Sequence, residues 1–175
     1  SLDVTAAAAE AADLVIAQVN RNMPRVQGRS NIHVNDIDIF VEHDDELRAI
    51  GQYPDVAAAR NIARYVSRLV DDGSTMQMSL GATSDANIAA LMEKNDLGIH
   101  TQYVTNTIMK LMAMGVVTNR KKGFNEGKII CSNAIGTKDL YDLLDNNSAV
   151  EFHPSKYVND PRVISQNNKM VAMNI

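Results

Sequence analysis

The sequence predicts an α/β fold in which a mainly parallel, Rossmann-like sheet is flanked by helices. From residue 55 onward, short apolar runs typical of buried strands alternate with amphipathic segments long enough to form helices. Because helical segments of about ten residues separate successive strands, the strands are expected to pair in parallel through right-handed crossovers. The fold class follows from this alternation.

The predicted elements are assigned from apolar periodicity and from turn-forming residues. Asp55 is expected to cap the second helix at its start, and Gly73 is expected to end it. Helices are predicted over 3–12, 55–73, 85–95, 105–115 and 136–147, and strands over 13–19, 32–43, 75–80, 97–104, 128–133, 149–154 and 169–175. Loops are predicted over 20–30 and 44–54, and the second of these is the expected domain boundary.

The amino-acid composition argues against several classes of function. The chain is 45% hydrophobic but only 5% aromatic, with nine Met and no Trp, so the core is expected to consist of aliphatic and Met side chains. A net charge of −4 argues against a nucleic-acid partner. No apolar run approaches the roughly 20 residues that a membrane span needs. The single cysteine, Cys131, indicates a reducing cytoplasm, and no metal is expected because the polar run 43–46 lacks further ligands at a suitable spacing.

Candidate chemistry lies where predicted strands end, because ligands of open parallel sheets bind beyond the carboxyl ends of the strands. Three such junctions are 79–84, 101–103 and 133–137. Gly81 and Gly136 would let a ligand approach the backbone, and a helix N-terminus favours a phosphate or an oxyanion. Taken alone, each glycine is a weak signal, and a tight turn is the preferred explanation of both. Neither junction matches GxGxxG or GxxxxGK[ST], which disfavours NAD and ATP.

Several longer motifs then suggest a family. The segment "GSTMQMSLGATSDANIAAL" (73–91) corresponds to "GSTLQLGIGAIPDAVL", and "DLGIHTQ" (96–102) corresponds to "DLGIHTE". Further matches are "GVVTNRKK", "YDLLDNN", "YVNDPRVISQNNKMVAMN" and "VIAQVNRNMPRVQGRSNIHVNDID". On these motifs the chain resembles the acetyl-CoA hydrolase and 4-hydroxybutyrate CoA-transferase family. The resemblance implies a CoA-transferase fold in which residues 1–50 end a preceding domain. Residues 51–175 would form most of the second, CoA-binding domain, truncated at its end.

The resemblance also implies a chemistry. In that family a glutamate carboxylate attacks an acyl-CoA thioester, CoA becomes attached to the glutamate, and an incoming carboxylate takes the CoA. The alignment places this glutamate on Gln102. It places the CoA-binding loop on five residues, Ser79, Leu80, Gly81, Ala82 and Thr83. Ser79 stands where the family has glycine, Ser84 where it has proline, and Gln102 where it has the carboxylate. Asn133 and Gly136 are expected to contact CoA as well.

The departure at Gln102 matters most, because an amide has no negative charge and its acyl adduct is not a workable intermediate. Three interpretations stay open. Gln102 is an engineered isostere, or the protein uses another group for transfer or hydrolysis, or it binds CoA without transferase chemistry.

Other polar residues have a functional and a structural interpretation. His100 lies two residues before Gln102 and is expected on the same face of the strand, where it would be a general base for water or a hydrogen-bonded core residue. The run 120–122 would bind the 3′-phosphate of CoA or form a solvated turn. Asn106, Asn133 and Asn159 are candidate amide donors to an acyl carbonyl, and Cys131 is expected to be a buried, unreactive residue.

The sequence thus predicts a domain of an acyl-CoA:carboxylate CoA-transferase or acyl-CoA hydrolase. Its expected substrates are acyl-CoA, which supplies coenzyme A, and a small carboxylate. The alternative is a non-catalytic domain that binds or senses CoA. The resemblance further implies a homo-oligomer for the full-length protein.

Overall fold

The computed structural model describes residues 2–51 and 53–174. Within these residues the helices are α1 (Thr5–Ala11), α2 (Ala57–Val66), α3 (Ala82–Ala89), α4 (Asn106–Ala113), α5 (Lys138–Leu144), α6 (Ser155–Val158) and α7 (Pro161–Ile164). The strands are β1 (Ile16–Val19), β2 (Gln27–Gly28), β3 (Ile39–Glu42), β4 (Thr75–Met78), β5 (Gly98–Ile99), β6 (Tyr103–Val104), β7 (Ile129–Cys131), β8 (Asn133–Ala134), β9 (Val150–Phe152) and β10 (Met170–Met173). Short 3-10 turns occupy Val34–Asp36 and Ser67–Leu69.

The main sheet has the strand order β10-β4-β5-β7-β9-β2. Its two halves, β10-β4-β5 and β2-β9-β7, are joined by a parallel bridge between His100 and Ile130. β6 and β8 pair in parallel with each other and follow closely after β5 and β7 in the chain. Every strand pair within residues 2–51 and 53–174 is parallel, which confirms the predicted mainly parallel α/β class.

The core forms where strands are covered on both faces, as parallel sheets require. Met76, Leu97 and Ile129 at its centre have no exposed side-chain surface. Met78 and Met109 also lie in this cluster. The expectation of an aliphatic and Met-based core is therefore confirmed among the described residues.

Several predicted helix boundaries were wrong. Val56, not Asp55, precedes the first residue of α2, and the helix ends at Val66, well before Gly73. Gly73 instead lies at a positive φ of 76° in the turn that leads to β4. The helix predicted over 85–95 begins at Ala82 and ends at Ala89, so α3 follows Gly81 directly.

Two predicted strands are each divided in two. The segment 97–104 forms β5 and β6 with a break at 100–102, and the segment 128–133 forms β7 and β8 with a break at Ser132. Residue 102 therefore lies in an interruption of the sheet. The breaks lie side by side because the backbone oxygen of Gln102 accepts hydrogen bonds from Ser132 N (3.1 Å) and Asn133 N (2.9 Å).

The first 50 residues contact the rest of the chain. β1 and β3 form a separate parallel pair, and the predicted strand 32–43 shortens to β3 because a 3-10 turn precedes it. β2, inside the predicted loop 20–30, pairs with β9. At Gly28, φ is +99° and the backbone of Phe152 fills the space that a Cβ would occupy. The predicted domain boundary near residue 50 stays a prediction. In the described ranges no helix has both the length and the apolar character of a membrane span.

Candidate functional site

The side chain of Thr101 fixes the relative position of two predicted junctions. Its Oγ1 donates to the backbone oxygen of Met78 (2.8 Å) and accepts from the backbone nitrogen of the same residue (3.1 Å). Met78 is the last residue of β4, directly before Ser79. Because Thr101 is fully buried, this pair of bonds holds residue 102 close to the start of the 79–83 loop.

The 79–83 loop is open at its glycine. Gly81 has φ 123° and ψ 170°, a backbone conformation that is essentially restricted to glycine. Among the described residues, no neighbouring atom lies within 4 Å of the position that a Cβ would occupy. Ser79 Oγ lies 2.9 Å from Ser84 Oγ, which ties the loop to the first turn of α3. The half-buried loop is therefore open beside Gly81 and leads into a helix N-terminus, where the first N–H groups have no partner within the helix.

Gly136, the glycine of the third predicted junction, has different surroundings from Gly81. Gly136 is buried, and the space beside its Cα is filled by Asn106 Oδ1 and by Leu140. The Asn106 amide is itself fixed, because it donates to Thr137 Oγ1 (2.8 Å) and accepts from Thr137 N (2.9 Å). The close approach at Gly136 is thus made by Asn106, and α5 begins two residues later at Lys138. Asn133 is also buried.

Gln102 is half-buried, and its side chain has a partner that the sequence analysis missed. Its Nε2 donates to Oδ1 of Asp3 at 3.3 Å. The same carboxylate oxygen accepts from Ser155 Oγ at the start of α6. No local signal could have shown this cluster, because Asp3 lies 99 residues before Gln102 and 152 before Ser155.

His100 is fully buried, and its Nε2 lies 2.8 Å from the backbone oxygen of Val158. Since a carbonyl oxygen can only accept, Nε2 carries the ring proton. Burial lowers the pKa of His100 to about 4, against the smaller opposing effect of the Val158 bond. This environment favours the structural interpretation of His100 over that of a general base for water.

We expect His100 to make stability depend on acid pH. The native state holds this ring neutral down to pH of about 4, while an unfolded histidine takes up its proton near pH 6.5. Stability should therefore fall between pH 6.5 and 4, by at most about 1.4 kcal/mol per pH unit. Urea unfolding at several pH values should show a shallower fall in His100→Gln than in wild type. The exposed-residue control His33→Gln should retain the wild-type slope.

The basic run 120–122 does not act as one solvated patch. Arg120 pairs with Asp96 at 3.1 Å on the surface. Lys122 is buried, and its Nζ donates to the backbone oxygens of Ile99 (2.9 Å) and Lys128 (2.8 Å). The prediction that Lys122 is either solvated or bound to a phosphate was therefore wrong, because its ammonium group is used inside the fold. Cys131 is buried as predicted, and burial raises the pKa of its thiol.

A cleft of about 780 Å³ is lined in part by the first 50 residues, and none of the residues 79–83 or 100–102 lines it. It is mostly apolar, and Arg25 and Arg48 are among its lining residues. Leu2 and Ala134, next in sequence to Asp3 and Asn133, also line it. In the described residues no three His, Cys, Asp or Glu side chains are grouped so that they would hold a metal ion.

The fold and these junctions define an α/β protein of the CoA-transferase type, and the comparisons agree. Residues 1–51 match the family model for the acetyl-CoA hydrolase/transferase N-terminal domain, and residues 136–175 match that for the C-terminal domain. A 4-hydroxybutyrate coenzyme A transferase of Clostridium kluyveri is 43% identical, over 99% of this chain and 41% of its own. A succinyl-CoA:cyclohexane-1-carboxylate CoA transferase of Geobacter metallireducens is 36% identical, over 99% of this chain and 40% of its own.

Solved structures give the same result. A 4-hydroxybutyrate CoA-transferase from Porphyromonas gingivalis superposes with a TM-score of 0.94 at 36% identity, over 99% of this chain and 44% of that one. RipA from Yersinia pestis superposes with a TM-score of 0.90 at 34% identity, over 97% and 39%. The chain belongs to the acetyl-CoA hydrolase/transferase family. It spans less than half the length of these relatives.

Proposed function

We propose that this chain carries the thioester site of an acyl-CoA:carboxylate CoA-transferase or acyl-CoA hydrolase. The observation that supports this most directly is the Thr101 clamp on Met78, which holds residue 102 beside the 79–83 loop. A thioester carbonyl placed between them would face the uncovered N–H groups that follow Gly81. Backbone donors at a helix N-terminus stabilise the negative charge that develops on a carbonyl oxygen under attack.

The cleft supplies a place for the rest of the substrates. Its apolar lining suits an acyl chain, and Arg25 and Arg48 in that lining are the residues that would bind a carboxylate. The names of the relatives describe transfer of CoA between carboxylic acids, which supports acyl-CoA and a small carboxylate as substrates here. CoA contacts at Asn133 and Gly136, a homo-oligomeric full-length protein and a cytoplasmic location stay predictions.

The test uses the full-length protein with acetyl-CoA, with and without added butyrate. Formation of butyryl-CoA, followed by chromatography, would support transfer. Release of free thiol in water alone would support hydrolysis. Calorimetric binding of CoA without either reaction would favour the second candidate, a CoA-binding domain. The amide at Gln102, where a carboxylate is usual, is the observation that favours that candidate.

If the backbone N–H groups that follow Gly81 bind the thioester, Gly81→Ala should weaken the binding of CoA. A side chain at this φ and ψ strains the backbone, so the N–H groups that follow should move away from the thioester. We expect the dissociation constant for CoA to rise at least about 10-fold, a change of about 1.4 kcal/mol.

Gly127→Ala is the matched control. Gly127 also has a positive φ, 75°, and open space where a Cβ would stand. It precedes β7, so it lies at the opposite edge of the sheet. This variant should lose stability but bind CoA as wild type does. Equal affinities for both variants would contradict a role of the Gly81 backbone in binding.

A further inference from the structure

A carboxylate is present next to residue 102, on a different part of the chain. Oδ1 of Asp3 accepts from Gln102 Nε2 at 3.3 Å and from Ser155 Oγ. The side chain of Gln102 therefore acts as a donor that faces a negative charge. Such a pair is complementary, whereas two carboxylates at this distance would repel each other.

Asp3 is held in place from both sides. The backbone nitrogen of Leu2 donates to Ser132 O at 3.2 Å, just beyond the end of β7. The side chain of Leu2 is buried in the core. Ser155, at the start of α6, fixes the carboxylate itself. Asp3 is thus positioned at the carboxyl edge of the sheet, where the site was proposed.

One oxygen of this carboxylate is uncommitted. Both hydrogen bonds reach Oδ1, and within residues 2–51 and 53–174 none reaches Oδ2. Leu2, the preceding residue, lines the 780 Å³ cleft. Oδ2 is therefore the oxygen of Asp3 that is free to form a bond to a substrate.

We propose that Asp3 is the nucleophilic carboxylate of this site, in place of the one that Gln102 lacks. The inference rests on the proposed function. Oδ2 attacks the thioester carbonyl carbon, the C–S bond breaks, and CoA leaves as a thiolate, which gives an acyl–aspartyl anhydride. The thiolate then attacks the aspartyl carbonyl, which releases the acyl group as its carboxylate and leaves CoA as a thioester on Asp3.

The second half reverses these steps. An incoming carboxylate attacks the aspartyl thioester, which forms a new anhydride and releases CoA thiolate. The thiolate attacks the acyl carbonyl of that anhydride, so the new acyl-CoA departs and the Asp3 carboxylate is restored. Gln102 orients Asp3 throughout by donating to Oδ1.

Asp3→Asn in the full-length protein tests the assignment. Asparagine has the same shape and its oxygen can still accept from Ser155, so a purely structural role would survive. We expect the rate at which CoA is transferred from acetyl-CoA to butyrate to fall at least about 100-fold. The affinity for CoA and the melting temperature should stay close to those of wild type. Glu10→Gln, an exposed carboxylate on α1, is the control and should retain full exchange. Full exchange in Asp3→Asn would overturn the proposal.

A trapping experiment identifies the residue that carries the covalent intermediate. Hydroxylamine added during turnover should convert the aspartyl thioester to a hydroxamate on the peptide that carries Asp3, read by mass spectrometry. A hydroxamate on another carboxylate, or none while acyl exchange proceeds, would overturn this inference alone. CoA binding without acyl exchange or thioester hydrolysis would overturn both the inference and the transferase or hydrolase function. Absence of CoA binding would overturn the proposed function, and the inference with it.

Exchanging the two side chains gives a second test. The double variant D3N/Q102E moves the carboxylate to position 102 and places the amide opposite it. Exchange should recover relative to Asp3→Asn alone, and the hydroxamate should move to the peptide that carries position 102. Exchange that stays at the level of Asp3→Asn while CoA still binds would contradict the pair as the reacting unit.

Discussion

Replacing Gly136 with alanine is expected to destabilise the protein by about 3 kcal/mol. The new methyl group would occupy the space of Asn106 Oδ1 and press on Leu140. Asn106 cannot turn away freely, because both ends of its amide are bonded to Thr137. The cost therefore combines overpacking of the core with the loss of hydrogen bonds at the start of α5.

Urea unfolding monitored by circular dichroism measures this effect. Gly51→Ala is the control, because a Cβ there meets no atom within 4 Å and the residue has no positive φ. That variant should stay within about 0.5 kcal/mol of wild type. A Gly136→Ala protein as stable as the control would show that the Asn106 contact does not constrain the turn.

Lys122 should give the protein an unusual dependence on alkaline pH. Burial lowers the pKa of this ammonium group to about 7, against an ordinary value of 10.5. Between these values the unfolded chain holds a proton that the native state has released. Stability attributable to Lys122 therefore rises as the pH goes from 7 to 10.5, by at most about 1.4 kcal/mol per pH unit.

The Lys122→Met variant lacks this contribution. Unfolding free energies of wild type and Lys122→Met, compared between pH 7 and 10, should diverge in favour of wild type. Lys121→Met, at the exposed neighbouring position, should keep a constant difference from wild type over the same range. Parallel curves for wild type and Lys122→Met would show that Lys122 stays charged in the native state.

The overall architecture follows from local signals. Apolar runs separated by amphipathic segments predict a parallel α/β sheet, and the relatives and the strand pairing confirm it. The burial of Cys131 was predictable from the apolar run that surrounds it. The helices α6 and α7 were missed although one signal was present. Asp160 followed by Pro161 is a typical helix start, and the Asp160 carboxylate indeed accepts from Arg162 N.

Other features depend on contacts between distant residues, which a single sequence does not show. The break between β5 and β6, at residues 100–102, contains no glycine or proline, and it coincides with the bonds of Gln102 O to the neighbouring strand. Lys122 lies in a run of basic residues that is typical of a surface turn. Gly98 makes room for its side chain, since a Cβ there would lie 2.5 Å from Lys122 Cγ. The hydrogen bonds from Gln102 and Ser155 to Asp3 likewise join residues that are far apart in the sequence.

The backbone oxygen of Gln102 accepts hydrogen bonds from Ser132 N and Asn133 N, and these two bonds hold the backbone at position 102. Every amino acid has that oxygen, so these two backbone bonds would survive a change of side chain at position 102. Position 102 can therefore exchange its amide for a carboxylate without loss of these backbone bonds, provided that the charge at position 3 is removed at the same time.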